Sequence, residues 1–189
     1  MDHRDGEGGH VRRGAVFLDR DGVLNEDCGY VGQVDRFVWI ADAREAILRI
    51  NRSDHYAFVV TNQSGVARGL YDEADVGRVH RHMQADLARI GARIDDFRYC
   101  PHHEQGTIEA YRRRCACRKP EPGMLLDLAA TWDVDLTRSF IIGDQQRDVE
   151  AGRRAGVAGH LIRPGENLVA LVEDFLRSTA PVDQRTAGA

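Results

Sequence analysis

The chain has 189 residues, enough for one domain with a full core and too few for two large ones. A formal net charge of -4 supplies no broad basic field, so neither nucleic acid nor an anionic membrane is an expected partner. No apolar run approaches the roughly 20 residues of a membrane-spanning helix.

In chain order, residues 1–13 are charged and Gly-rich, with no apolar segment after them that could serve as a signal peptide. They read as a loose tail, and a cytoplasmic location is expected. Ala15-Val16-Phe17-Leu18-Asp19, followed by Gly22, reads as a buried strand ending in a turn. Asp42 to Ile50 has helical spacing through Ala43, Ala46, Ile47 and Ile50. Ala57 to Thr61 is a second buried strand, and Asn62-Gln63-Ser64-Gly65 is loop chemistry. Asp72 to Ile90 is the longest helix, with Asp72 as its N-cap and Gly91 as its stop. Phe97 to Cys100 is a third strand. Gly123 to Trp132 is a helix with Met124, Leu125, Leu128 and Ala129 on one face. Ser139 to Ile142 is a strand ended by Gly143. A short helix over 149–155, a strand over 159–162 and a helix over 167–176 complete the domain. Residues 178–189 read as a second tail.

Strands alternate with helices, and their apolar runs are continuous. The expected fold is therefore α/β, a three-layer sandwich around a mainly parallel Rossmann-like sheet. One domain spans 14–177, without a large cap domain or internal repeat. Residues 100–117 form an inserted loop too small to fold without a staple.

In such a sheet ligands bind beyond the carboxyl ends of the strands. Asp19-Arg20-Asp21-Gly22 ends the first strand, and Gly143-Asp144 ends the fourth, with Asp148 nearby. Acids gathered there repel one another unless a cation sits among them. Hard carboxylate oxygens suit Mg²⁺. A carboxylate can attack phosphorus, and a second one two residues on can act as general acid and base. Thr61 and Asn62 offer donors, and Lys119 the fixed charge that a transferring phosphoryl group needs.

Cys100-Pro101-His102, twelve residues, then Cys115-Ala116-Cys117 offers three thiolates and an imidazole, the ligand set of a closed structural Zn²⁺ site. His103 is the weaker alternative for the fourth ligand. Lys119 follows Cys117 by two residues, so such a knuckle would aim that lysine. Cys28 stands apart from the cluster.

Phe17-Leu18-Asp19-Arg20-Asp21-Gly22-Val23, Thr61, Lys119 and Gly143-Asp144 resemble, in order, the four motifs of the haloacid dehalogenase superfamily of phosphatases. The resemblance implies Asp19 as nucleophile and metal ligand. It implies Asp21 as acid/base and as metal ligand through its backbone carbonyl. Thr61 and Lys119 would hold the phosphoryl group, Asp144 would be a metal ligand, and Asp148 would orient the site. Cys115-Ala116-Cys117-Arg118-Lys119-Pro120-Glu121-Pro122-Gly123-Met124 is similar to the zinc-bearing branch whose members act on heptose bisphosphates and on histidinol phosphate. Gly29-Tyr30-Val31, residues 61–69 and Cys100-Pro101-His102-His103 favour the heptose-acting members. By that resemblance Asp27, Cys28, Gly29, Tyr30, Thr61, Asn62, Gln63 and Ser64 line the substrate pocket, Lys119 meets the phosphate being cleaved and Arg118 the other one. The lysine that often follows the fourth-motif aspartate is here Gln145, which carries no charge.

The expected activity is removal of the C7 phosphate of a heptose 1,7-bisphosphate by a monomer whose partner is a small phosphorylated sugar, feeding cell-envelope glycans. Histidinol-phosphate hydrolysis and a non-catalytic, zinc-stabilised phosphate-binding module are the alternatives.

Overall fold

The structure, a computed structural model, describes residues 12–179. The tails expected at 1–13 and 178–189 lie outside that span, apart from residues 12, 13, 178 and 179. Arg12 and Arg13 are not loose: Arg12 pairs with Asp133 at 2.9 Å, and the Arg13 guanidinium lies 4.0 Å from the centre of the Tyr56 ring.

Five strands form one sheet: β1 (Gly14–Leu18), β2 (His55–Asn62), β3 (Asp96–Cys100), β4 (Phe140–Gly143) and β5 (Ala158–Leu161). Their order is β3-β2-β1-β4-β5 and every pairing is parallel. Leu18 lies opposite both Val59 and Ile142, so β1 and β4 end nearly level while β2 runs on to Asn62. Strand order reverses direction at β1, which opens a crevice beyond the ends of β1 and β4.

Side chains alternate across the sheet, and the helices cover both faces. Val16, Leu18, Ala57 and Val59 point to one side. There they meet α1 (Ala43–Asn51), α2 (Glu73–Ala88) and α5 (Leu168–Ser178). Ala15, Phe17, Phe58 and Val60 point to the other, against α3 (Gly123–Trp132) and α4 (Gln146–Ala155). The connections after β1 and β2 hold no cap domain. Among the described residues the first contains a 3₁₀ turn at Val34–Arg36, bridges joining Asn25 to Asp21 and Trp39, and α1.

The expected elements are present with small shifts at their ends. Asp72 caps α2 by accepting from the Asp75 N–H at 2.8 Å, and Asp75 returns the bond. Gly91 ends that region at φ 73°, a conformation that favours glycine. α4 begins at Gln146, before its apolar stripe, because the Asp148 carboxylate turns back to accept from the Gln145 N–H. Among the described residues no helix is long and apolar enough to cross a membrane.

His80 on α2 stacks on Phe97 of β3, ring centres 4.3 Å apart, and its Nε2 has no hydrogen-bond partner. Burial, and then the charge of Arg20, push its pKa down to about 3. The unfolded chain takes up this proton near the ordinary value of 6.5, whereas the folded chain refuses it. Stability tied to His80 is therefore complete above that value and falls by about 1.4 kcal/mol per pH unit below it. Urea unfolding should show the wild type losing about 2 kcal/mol more than His80→Phe between pH 7 and pH 5.

Candidate active site

Asp19 is the first residue past β1 and Asp144 the first past β4, so the topology delivers both to the same crevice. Asp148 reaches it from the first turn of α4. Oxygens of Asp19, Asp144 and Asp148 lie within 4.8 Å of one another. Gly22 makes room for this meeting: its φ is 85°, and a Cβ there would sit 2.4 Å from Asp144 Oδ2. The Gln145 amide donates to that same Oδ2 at 3.0 Å, while Asp144 Oδ1 is buried without a hydrogen-bond partner.

Lys119 is fully buried among these acids. Its Nζ lies 2.7 Å from Asp148 Oδ1 and 3.0 Å from Asp19 Oδ1, and donates to the Val60 carbonyl at 2.7 Å. Asn62 brackets the lysine backbone, accepting from its N–H at 3.1 Å and donating to its carbonyl at 3.0 Å. Burial raises the Asp19 pKa to about 6, opposed by Lys119 and assisted by Asp148. Burial also raises Asp144. The acids thus resist ionising together, and a hard cation beside them would relieve that resistance. An orphaned Asp144 oxygen and an all-oxygen donor set fit such an ion.

Asp21 is held from behind. Arg20 is completely buried and sets one guanidinium nitrogen 3.0 Å from each Asp21 oxygen. Asn25 donates to Oδ1 at 3.0 Å and Gln63 to Oδ2 at 2.8 Å. The same Gln63 amide donates to Thr61 Oγ1 at 2.9 Å, and its carbonyl accepts from Tyr71 at 2.7 Å. The Tyr71 ring fills space left by Gly32 and Gly65, where added Cβ atoms would come within 2.2 Å of it.

The pocket in front of Asp19 encloses about 190 Å³. Asp27, Gly29, Tyr30, Thr61, Asn62 and Ser64, the residues expected there, line it together with Asp21. Cys28 and Gln63 do not. Arg36 gathers the carbonyls of Cys28, Gly29 and Tyr30 at 2.9–3.2 Å, which turns Asp27, Gly29 and Tyr30 inward and leaves Cys28 exposed. Gln63 is buried behind the wall, its amide spent on Asp21, Thr61, Arg20 and Tyr71. Arg118 donates to the His102 carbonyl at 3.2 Å and lines a separate open groove with Lys119 and Glu121. Tyr71 and Arg147 line the pocket in front of Asp19 without having been expected there. No local pattern marks Tyr71 or Arg147: Gly32 and Gly65 meet the Tyr71 ring only in the folded chain.

Donor atoms of Cys100, His102, Cys115 and Cys117 also lie within 4.8 Å of one another. The three sulfurs are 3.2–3.4 Å apart, and His102 Nδ1 is 3.4 Å from Cys117. His103 turns elsewhere, toward Arg68 and the Gln105 N–H. The bond that Cys117 shares with Cys100 pulls the Cys117 thiol down to about 5 and pushes Cys100 up, where burial adds to it. These four donors could hold a soft metal ion.

A curated relative from Rhodopseudomonas palustris, a D-glycero-beta-D-manno-heptose-1,7-bisphosphate 7-phosphatase, is 52% identical over 87% of this chain and 91% of its own length. The chain belongs to that family. Relatives of the same name from Photorhabdus laumondii (43% identity, 80% of this chain, 81% of the relative) and Escherichia coli K12 (39%, 85% and 84%) agree. The HAD-hydrolase-like family model matches residues 116–184. Among solved structures, the D,D-heptose 1,7-bisphosphate phosphatase of B. bronchiseptica, complexed with magnesium and phosphate, matches with a TM-score of 0.75 and 34% identity. That match covers 87% of this chain and 99% of the other. A HAD-like phosphatase from Mesorhizobium loti matches with a TM-score of 0.81 and 31% identity, covering 92% and 90%.

Metal-free protein titrated with Co²⁺ should gain thiolate-to-metal absorbance at one equivalent, and Cys117→Ser should lose it. Metal at about a thousandfold its Kd should stabilise the wild type by about 4 kcal/mol, read from denaturant unfolding.

Proposed function

We propose that the chain is a Mg²⁺-dependent phosphatase that removes the C7 phosphate of D-glycero-D-manno-heptose 1,7-bisphosphate, with Zn²⁺ as a structural ion on Cys100, His102, Cys115 and Cys117. The observation that carries this reading is the meeting of Asp19, Asp144 and Asp148 around the buried Lys119 ammonium. The names of the family relatives supply the substrate, and the magnesium and phosphate of the B. bronchiseptica complex support the cofactor.

Asp19 Oδ1 already accepts from the Arg20 N–H at 2.7 Å and faces Lys119, which leaves Oδ2 for phosphorus. Attack forms the Asp19–phosphorus bond as the bond from phosphorus to the C7 oxygen breaks. Asp21, fixed by Arg20, Asn25 and Gln63, protonates the departing oxygen. It then takes a proton from water as that water attacks phosphorus, releasing inorganic phosphate and restoring Asp19. Lys119 and the Thr61 hydroxyl hold the phosphoryl oxygens through both steps. Mg²⁺ on Asp19, Asp144 and the Asp21 carbonyl would neutralise charge on the phosphoryl group. The Asp27–Tyr30 loop and Asn62 and Ser64 wall the sugar, and Arg118 contributes charge from its groove for the phosphate that stays.

Purified enzyme with Mg²⁺ should give a higher kcat/KM for the heptose bisphosphate than for histidinol phosphate. The reverse order would overturn the substrate assignment. Asp19→Asn should release no phosphate, which a non-catalytic binding module would not do in the wild type either. Asp21→Asn should lower kcat by about 10²–10⁴.

A further inference from the structure

We infer that Arg147, at the start of α4, binds the non-reacting phosphate of a sugar bisphosphate and thereby sets the preference for a doubly phosphorylated substrate. This deepens the function proposed above and rests on it. Arg147 is a cation lining the pocket alongside the carboxylates of Asp19, Asp21 and Asp27. It is exposed. Arg153 and Arg154, on the same helix, both pair with Glu150, whereas among the described residues Arg147 has no carboxylate partner.

Its position is electrostatically poor for a merely solvated surface charge. Arg147 is the second residue of α4, where the helix dipole disfavours a cation. Among the described residues no carboxylate pairs with this guanidinium directly, and a phosphate would supply that partner.

The size of the pocket says where that phosphate lies. About 190 Å³ is below the roughly 300–1,000 Å³ of sites that enclose a drug-sized ligand. The phosphoryl end of a heptose bisphosphate fills it, and the far end projects to the rim. The residue after Asp144 brings no charge there: Gln145 is neutral and its amide is engaged with Asp144. Arg147, two residues further on, offers a planar fork of donors suited to a phosphate.

The test compares heptose 1,7-bisphosphate with heptose 7-phosphate, which keeps the reacting group and lacks the other phosphate. The readout is the ratio of the two kcat/KM values, in which any loss of folded enzyme cancels. Arg147→Gln should lower that ratio by about 10- to 100-fold through a higher KM for the bisphosphate. Arg147→Lys should retain part of it, and Arg147→Glu should lower it further. An unchanged ratio in Arg147→Gln, or a loss confined to kcat, overturns the inference. Failure of the underlying function is seen separately, in a wild type that does not favour the bisphosphate, and it removes this inference with it.

Discussion

A single buried ammonium organises this molecule. Lys119 has no access to solvent, and a charge so placed is tolerated only when it is paired and hydrogen-bonded. Asp19, Asp148 and the Val60 carbonyl satisfy it from three different elements. β1, β2 and α4 are thereby tied to the segment that follows the cysteine cluster. Removing the ammonium would leave the Asp19 and Asp148 carboxylates buried side by side without a counter-charge.

The surroundings of that ammonium explain the insertion at 100–117. The last two cysteines precede Lys119 by four and two residues, and Asn62 clasps the lysine backbone on the other side. A loop of this size has little apolar surface of its own, and its four donor atoms converge where a bound ion would staple it. Behind the opposite wall a second polar assembly does similar work. Gln63 links Arg20 and Tyr71, and Arg20, Gln63 and Asn25 all donate to Asp21, which fixes its orientation. Both halves of the site are thus held largely from behind, by Arg20 and Gln63 on one side and the Lys119 pairings on the other.

Most of the fold was legible because the strands are continuous apolar runs and the helices carry spacing and stop signals. Gly123–Trp132 is one case, and Asp72 with Gly91 another. The acids at 19 and 144 were legible for a related reason: each follows a buried strand, and parallel strands end together. What the chain order did not reveal was the direction of individual side chains in loops. Cys28 and Gln63 lie within stretches that do line the pocket, yet Arg36 turns the first outward and the Asp21 network draws the second inside. Arg20 reads as an ordinary charged turn residue, and only its burial shows that it supports its neighbour. Arg147 gives no local signal at all, since its relevance comes from the approach of α4 to β1.

The clasp of Arg36 on three successive carbonyls separates shape from chemistry in the pocket wall. One guanidinium fixes the backbone path over residues 28–30, and the Asp27 carboxylate adds a bond from the Gly29 N–H at 2.9 Å, whereas the Tyr30 side chain takes no part. Changes to the side chain of Tyr30 can therefore remodel the pocket surface while the loop keeps its course. Such a division makes this wall a place where substrate range can drift without disturbing the reacting centre.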